Sequence, residues 1–270
     1  MKKVILSGIC ILLLLDMVSF SVLLQGKRQE KESWNQHSVA RLLLLSREPL
    51  GQTMYVWGGG WNEEDTGAGV ETRSLGLSPA WKEFAALQDE NYDYHTTRYQ
   101  IHDGLDCSGY IGWVVYNLFE TRNGKEGYVG KASDMAESFA QKGFGKFTKA
   151  GEIEDWQAGD IMSMEGHVWM ALGGCDDGSV VLIHASPPGV SLCGTRLPNG
   201  EVSMAELLAK QYMSTYYPQW YEKYPTTGCD YRYLTDSAQM RWSTEVLSDA
   251  EKLRWMDGEQ VLQWLFEEKR

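Results

Sequence analysis

Apolar positions fall into three regimes along the chain. The first is a run at 4–24 that is apolar except for Asp16 and a few small polar residues, with Lys2 and Lys3 ahead of it. About 20 apolar residues span a bilayer as a helix. The run therefore predicts an uncleaved membrane anchor at 1–24, with a secreted protein as the alternative if the segment is cleaved; Asp16 costs ~2.5–3.5 kcal/mol there and the many Leu and Ile offset it. A polar linker follows at 25–37. In the second regime the apolar residues recur at helical spacing. "HSVARLLLLSREPLG" predicts a short helix stopped by Pro49 and Gly51, "SPAWKEFAALQDE" one with Ser78 as cap and Pro79 in the first turn, and "ASDMAESFAQKG" one closed by Gly143. An apolar run from Cys107 to about Glu120 predicts a further helix, and the β-branched and aromatic "TMYVWGGGW" stops at three glycines. In the third regime "GDIMSM", "HVWMAL" and "SVVLIHAS" read as strands between glycine-rich or acidic turns. Beyond about Gly200, "MAELLAKQYM" and "SDAEKLRWMDGEQVLQWLFEEK" return to helical period, predicting a helical extension over 201–270. Helices first and strands second indicate an α+β domain with an antiparallel sheet.

The composition, 43% hydrophobic and 12% aromatic over 270 residues, supports a substantial core. A formal net charge of −12, with no Lys/Arg cluster beyond the N-terminal region, argues against nucleic-acid binding, which needs a concentrated basic surface. Of five cysteines, Cys10 lies in the anchor and is preceded by Ile9, where a lipid-attachment site has a small residue. If the remainder is exported, Cys175, Cys193 and Cys229 have room for one disulfide and a leftover thiol. No CxxC pair is present.

The chemistry concentrates in two places. In "GLDCSGYIGWVVYN" Cys107 stands where glycine-punctuated chain gives way to a helix, so unpaired N–H groups and the helix dipole would favour its thiolate. In "HVWMALGGCDDGSVVLIH", pairing Leu172 with Ser179 across a six-residue loop sets His167 directly opposite His184 on one face. A one-residue slip would separate them. A nucleophile, a base and an orienting third group are the minimal set for acyl transfer through cysteine, with an N–H at Cys107 or its neighbours as oxyanion donor. Each element also has a structural reading: a buried cysteine at a helix start, and histidines satisfied in a core. A Cys/His/His zinc site is chemically open too. "YVWGGG" is not a phosphate loop, for it lacks the following Lys-Ser/Thr.

Four motifs in one order, "YVWGG", "DCSG" opening a helix, "GDIM…GHV" and "LIHAS", resemble the NlpC/p-sixty family of bacterial cell-wall cysteine peptidases over roughly residues 38–194. The resemblance implies a papain-like core at 38–200 with an insertion at about 62–102 beside the cleft. It implies Cys107 as nucleophile, His167 as general base and His184 as the third member holding His167 in its tautomer. Tyr55 would place a hydroxyl beside the nucleophile, while Asp106 and Ser108 would contact the free amine of a stem peptide. The substrate class is peptidoglycan stem peptides, cut between γ-D-glutamate and diaminopimelate or lysine, on the extracytoplasmic side of the membrane and with no cofactor. A related cysteine amidase and a non-catalytic wall-associated scaffold are the alternatives.

Overall fold

A computed structural model describes residues 37–119 and 126–268. The anchor and nearly all of the linker lie outside these residues, and no helix among those described is long and apolar enough to cross a membrane. The described residues from Ser38 onward form one unit. It is a mixed α+β structure around a six-stranded antiparallel sheet, with strands β1 (Gly145–Thr148), β2 (Ile161–Met164), β3 (His167–Gly174), β4 (Val180–Ser186), β5 (Gly189–Gly194) and β6 (Ala238–Trp242). The strand order is β1-β6-β2-β3-β4-β5.

Strict alternation assigns the two faces of the sheet. Val168, Met170, Leu172, Val181 and Ile183 point into the main core. This face is covered by α1 (Val39–Arg47) and by α3 (Cys107–Phe119), almost all of whose residues are buried. Burial on every side is why α3 shows a continuous apolar run instead of a stripe. The other face carries Trp169, Ala171, Leu182 and Cys193 in a smaller cluster.

The segment after residue 200 is not helical throughout, as its spacing predicts. Helices α5 (Met204–Tyr216), α6 (Pro218–Lys223), α7 (Arg232–Thr235) and α8 (Gly258–Gln263) are present, but β6 lies between α7 and α8 and pairs with both β1 and β2. Its position is fixed by Arg241, whose guanidinium reaches the buried Asp160 at 2.7 Å and Asp155 at 2.8 Å. The long closing helix is instead a turn at Leu253–Trp255, then α8 capped reciprocally by Asp257 and Gln260, then a π-helical turn at Trp264–Glu268. A disulfide between Cys193 on β5 and Cys229 ties this segment to the sheet and leaves Cys175 free. Closing a loop of this length stabilises a fold by about 4 kcal/mol in the chain-entropy account.

The insertion at 62–102 lies along α3. It contains helix α2 (Pro79–Leu87), and Asn117 of α3 bonds Ser74 O at 3.1 Å and Gly76 N at 2.7 Å. Trp81 packs edge-on against Trp113 with ring centroids 5.8 Å apart. "TMYVWGGGW" forms no strand. Met54 and Tyr55 make only single bridges, to Gly189 and Leu105, because the chain turns at the glycines directly afterwards.

Candidate active site

Cys107 is the first residue of α3, and the preceding Asp106 caps that helix. Its carbonyl accepts from Tyr110 N at 2.9 Å, and its Oδ1 accepts from Gly109 N at 2.7 Å and from Ser108 Oγ at 2.7 Å. Ser108 Oγ in turn accepts from the Trp61 indole N–H at 2.9 Å. The glycine motif supplies the other side of this junction: Asp106 N donates to Gly59 O at 3.0 Å and Val56 N to Leu105 O at 3.2 Å. The two motifs are thus fastened backbone to backbone, and a Cβ on Gly109 would be driven into the carbonyl oxygen of Gly59.

His167 begins β3 and His184 lies in β4. The strands do not pair in the register that a six-residue loop implies. Met170 faces Ile183 and Ala171 faces Leu182, then an extra residue at Leu172 shifts the pairing to Gly173 with Val181. His167 and His184 are therefore diagonal neighbours rather than directly opposed. Near the histidines the register differs from the expected one by two residues, which preserves the face. His167 Nε2 and His184 Nδ1 meet at 3.0 Å.

The nucleophile's helix covers the opposite face of the sheet from the two imidazoles, so Cys107 does not sit flat against theirs. Its sulfur lies at the start of β3, within range of the backbone N–H of Val168, the residue after His167, as well as those of Ser108 and of Cys107 itself. Tyr55 is buried and lies close enough to feel the Cys107 sulfur; burial first, then that sulfur and Asp106, push its hydroxyl far above the ordinary phenol value.

The electrostatics differ from the depressed thiol that a helix N-terminus predicts. Burial, reinforced by Asp106, pushes the Cys107 thiol up to about 12, and the three N–H groups offset this only in part. Burial holds His167 down at about 4, and His184 well below the usual imidazole range, the latter also through the neighbouring His167. The resting pair is a neutral thiol beside a neutral imidazole, because a water-poor site penalises both ions. Asp106, half-buried and capping the helix, is raised to about 6 by burial against the opposing N–H and hydroxyl donors.

One participant carries no signal in the sequence. Tyr233 of α7 packs its ring 5.4 Å from His167, 6.0 Å from His184 and 5.8 Å from Trp169. Only the nearby Cys229 hints at this, once its partner is known to be Cys193. His184, Cys193 and Cys229 bring potential ligand atoms within 4.8 Å of one another, but the two sulfurs are bonded together and offer no thiolate to a metal.

The arrangement defines an α+β protein with a cysteine at a helix start, its sulfur near the Val168 N–H, and a hydrogen-bonded histidine pair that begins at the preceding residue. No protein-family model, curated protein or solved structure matches the chain.

Proposed function

We propose that the chain is a membrane-anchored, extracytoplasmic cysteine endopeptidase of the NlpC/p-sixty type, with a papain-like core, that hydrolyses peptidoglycan stem peptides between γ-D-glutamate and the following diamino acid. The observation that carries the reading is the 3.0 Å contact between His167 Nε2 and His184 Nδ1, which leaves His167 Nδ1 for the thiol whose sulfur lies beside the His167–Val168 peptide. His167 takes the thiol proton as the sulfur attacks the scissile carbonyl, then delivers it to the leaving amine. Water, deprotonated by the same imidazole, hydrolyses the thioester. The N–H groups of Cys107 and Ser108 hold the oxyanion, and His184 fixes the tautomer of His167. Asp106, part of whose surface is open, supplies the charge for the stem peptide's free amine, while Ser108 holds that carboxylate in place.

Mass analysis of defined muropeptides after digestion tests the bond assignment. Fragments ending in γ-D-glutamate are expected; release of the intact stem peptide from its sugar would make the protein an amidase instead.

The pH dependence follows from the shifts in the site. A base is competent above its pKa and an amine-binding carboxylate is competent when ionised, so both produce acid limbs. In kcat/KM, which reports the free enzyme, a substrate with a free amine is expected to lose activity as pH falls through about 6, where Asp106 is neutralised. Acylating that amine is expected to move the limb to about 4, set by His167. A profile for the acylated substrate that breaks near the ordinary histidine value of 6.5 would contradict the buried, neutral imidazole.

A further inference from the structure

The imidazole pair is held by more than its own hydrogen bond. The ring of Tyr233 lies against both members, 5.4 Å from His167 at 59° and 6.0 Å from His184 at 66°, and those two rings stand 5.1 Å apart at 77°. With three inclined rings packed each against the other two, none turns without displacing its neighbours. The need for such support is greatest at His167. It is the first residue of β3, it is half-buried, and among the described residues its side chain makes one hydrogen bond, to His184.

Tyr233 itself is fixed from both directions along the chain. Before it, Cys229 is bonded to Cys193 of β5 and its N–H donates to Gly194 O at 2.8 Å. After it, Ser237 accepts from the indole N–H of Trp169 in β3 at 3.1 Å, and Leu234 between them is buried. The Tyr233 ring packs on the same Trp169, with centroids 5.8 Å apart. Its hydroxyl has no hydrogen-bond partner among the described residues. Burial first, then Cys107 and Asp230, push that hydroxyl up to about 12, so the ring that meets the imidazoles is uncharged near neutral pH.

We propose that Tyr233 is a positioning residue for the His167–His184 pair: its aromatic ring, delivered by the C-terminal segment, holds the two imidazoles in hydrogen-bonding register and keeps water from His167. The role rests on the endopeptidase reading above and makes the segment after residue 200 part of the working site. Misplacing a base by about 1 Å costs on the order of 10²-fold in rate, so loss of the ring shows in kcat. Admission of water has a second signature. The titratable groups that face His167 are His184 from β4 and Tyr233 from α7, with Cys107 beside the adjoining Val168 N–H, and burial alone is what lowers it. A wetted imidazole therefore rises from about 4 toward 6.5.

The test assays the full chain on a stem peptide whose amine is acylated, which leaves His167 to set the acid limb. Tyr233→Ala is expected to lose roughly 10- to 100-fold in kcat with little change in KM. Its acid limb in kcat/KM is expected to move from about 4 toward 6.5. Tyr233→Phe keeps the ring and is expected to stay within about twofold of wild type, with the limb unmoved. Unfolding midpoints are measured alongside. Tyr233→Leu, which refills the space without an aromatic ring, carries the test if the alanine chain does not fold, and is expected to lose several-fold in kcat. A folded alanine or leucine variant with the wild-type kcat and limb overturns the role. So does a phenylalanine variant as impaired as alanine, which would place the effect in the hydroxyl. Proton NMR titration of the His167 ring gives a readout that needs no substrate: an unchanged pKa in folded Tyr233→Ala overturns the shielding, whereas a wild type that cleaves no muropeptide overturns the endopeptidase reading.

Discussion

Cys107→Ala is expected to eliminate muropeptide cleavage, by a factor on the order of 10⁴ or more, while leaving the fold in place. The size of the effect follows from the chemistry. Without the sulfur no thioester forms, and His167 at a depressed pKa is a weak base for activating water alone. The fold is spared because Cys107 is a small buried residue whose truncation removes one sulfur from the edge of the core, at about 1–2 kcal/mol. The measurement pairs product quantification with a urea unfolding curve. Cleavage at the wild-type rate by the folded variant would remove Cys107 from the mechanism. Iodoacetamide labelling gives a second readout. With the thiol raised to about 12 and His167 neutral, alkylation of Cys107 is expected to be slow near pH 7 and to accelerate with rising pH, in contrast to the pH-independent labelling of a preformed thiolate–imidazolium pair.

Gly109→Ala is expected to have the largest effect on stability, about 3 kcal/mol or more, and to abolish activity with it. In an ordinary helix the same change is favourable by up to about 1 kcal/mol, so the sign itself is diagnostic. Here the new methyl group would overlap the carbonyl oxygen of Gly59. Both sides of the clash are backbone, and neither can rotate away as a flexible side chain would. Separating them pulls Asp106 N off Gly59 O and Gly109 N off the Asp106 carboxylate, the bonds that place the nucleophile. Gly130, where an added Cβ would meet nothing nearer than Met135 at 3.9 Å, supplies the control: Gly130→Ala is expected to stay within about 0.5 kcal/mol of wild type. Thermal or urea denaturation of the two variants decides the matter, and a Gly109→Ala protein as stable as wild type would mean the motifs are not locked together.

Most of the helices were legible because their signals are local. Ser38 caps α1, accepting from Arg41 N at 3.1 Å, Pro79 opens α2, and Gly143 follows α4 (Met135–Gln141) with φ at +82°. The strands β2, β3 and β4 were legible from their apolar runs. β1 and β6 were not: each is short and mixed in polarity, β1 pairs only with β6, and β6 is a strand because it fits between β1 and β2. The long C-terminal helix failed at the Asp257–Gly258 cap, which starts a new helix inside one periodic pattern.

For the site, the sequence by itself determined the residue types and their local settings: Cys107 at a helix start, and two histidines on adjacent strands with matching parity. Spacing along a strand fixes which face a side chain takes, and a two-residue change of register leaves that untouched. Only the tertiary structure decided that the helix lies on one face and the imidazoles on the other, with the Cys107 sulfur beside the His167–Val168 peptide. It alone decided that burial keeps thiol and imidazole neutral, and that Tyr233 and the Cys193–Cys229 bridge bring the C-terminal segment up to His184. Desolvation and long-range pairing depend on what the rest of the chain places around a residue, and no local pattern encodes them.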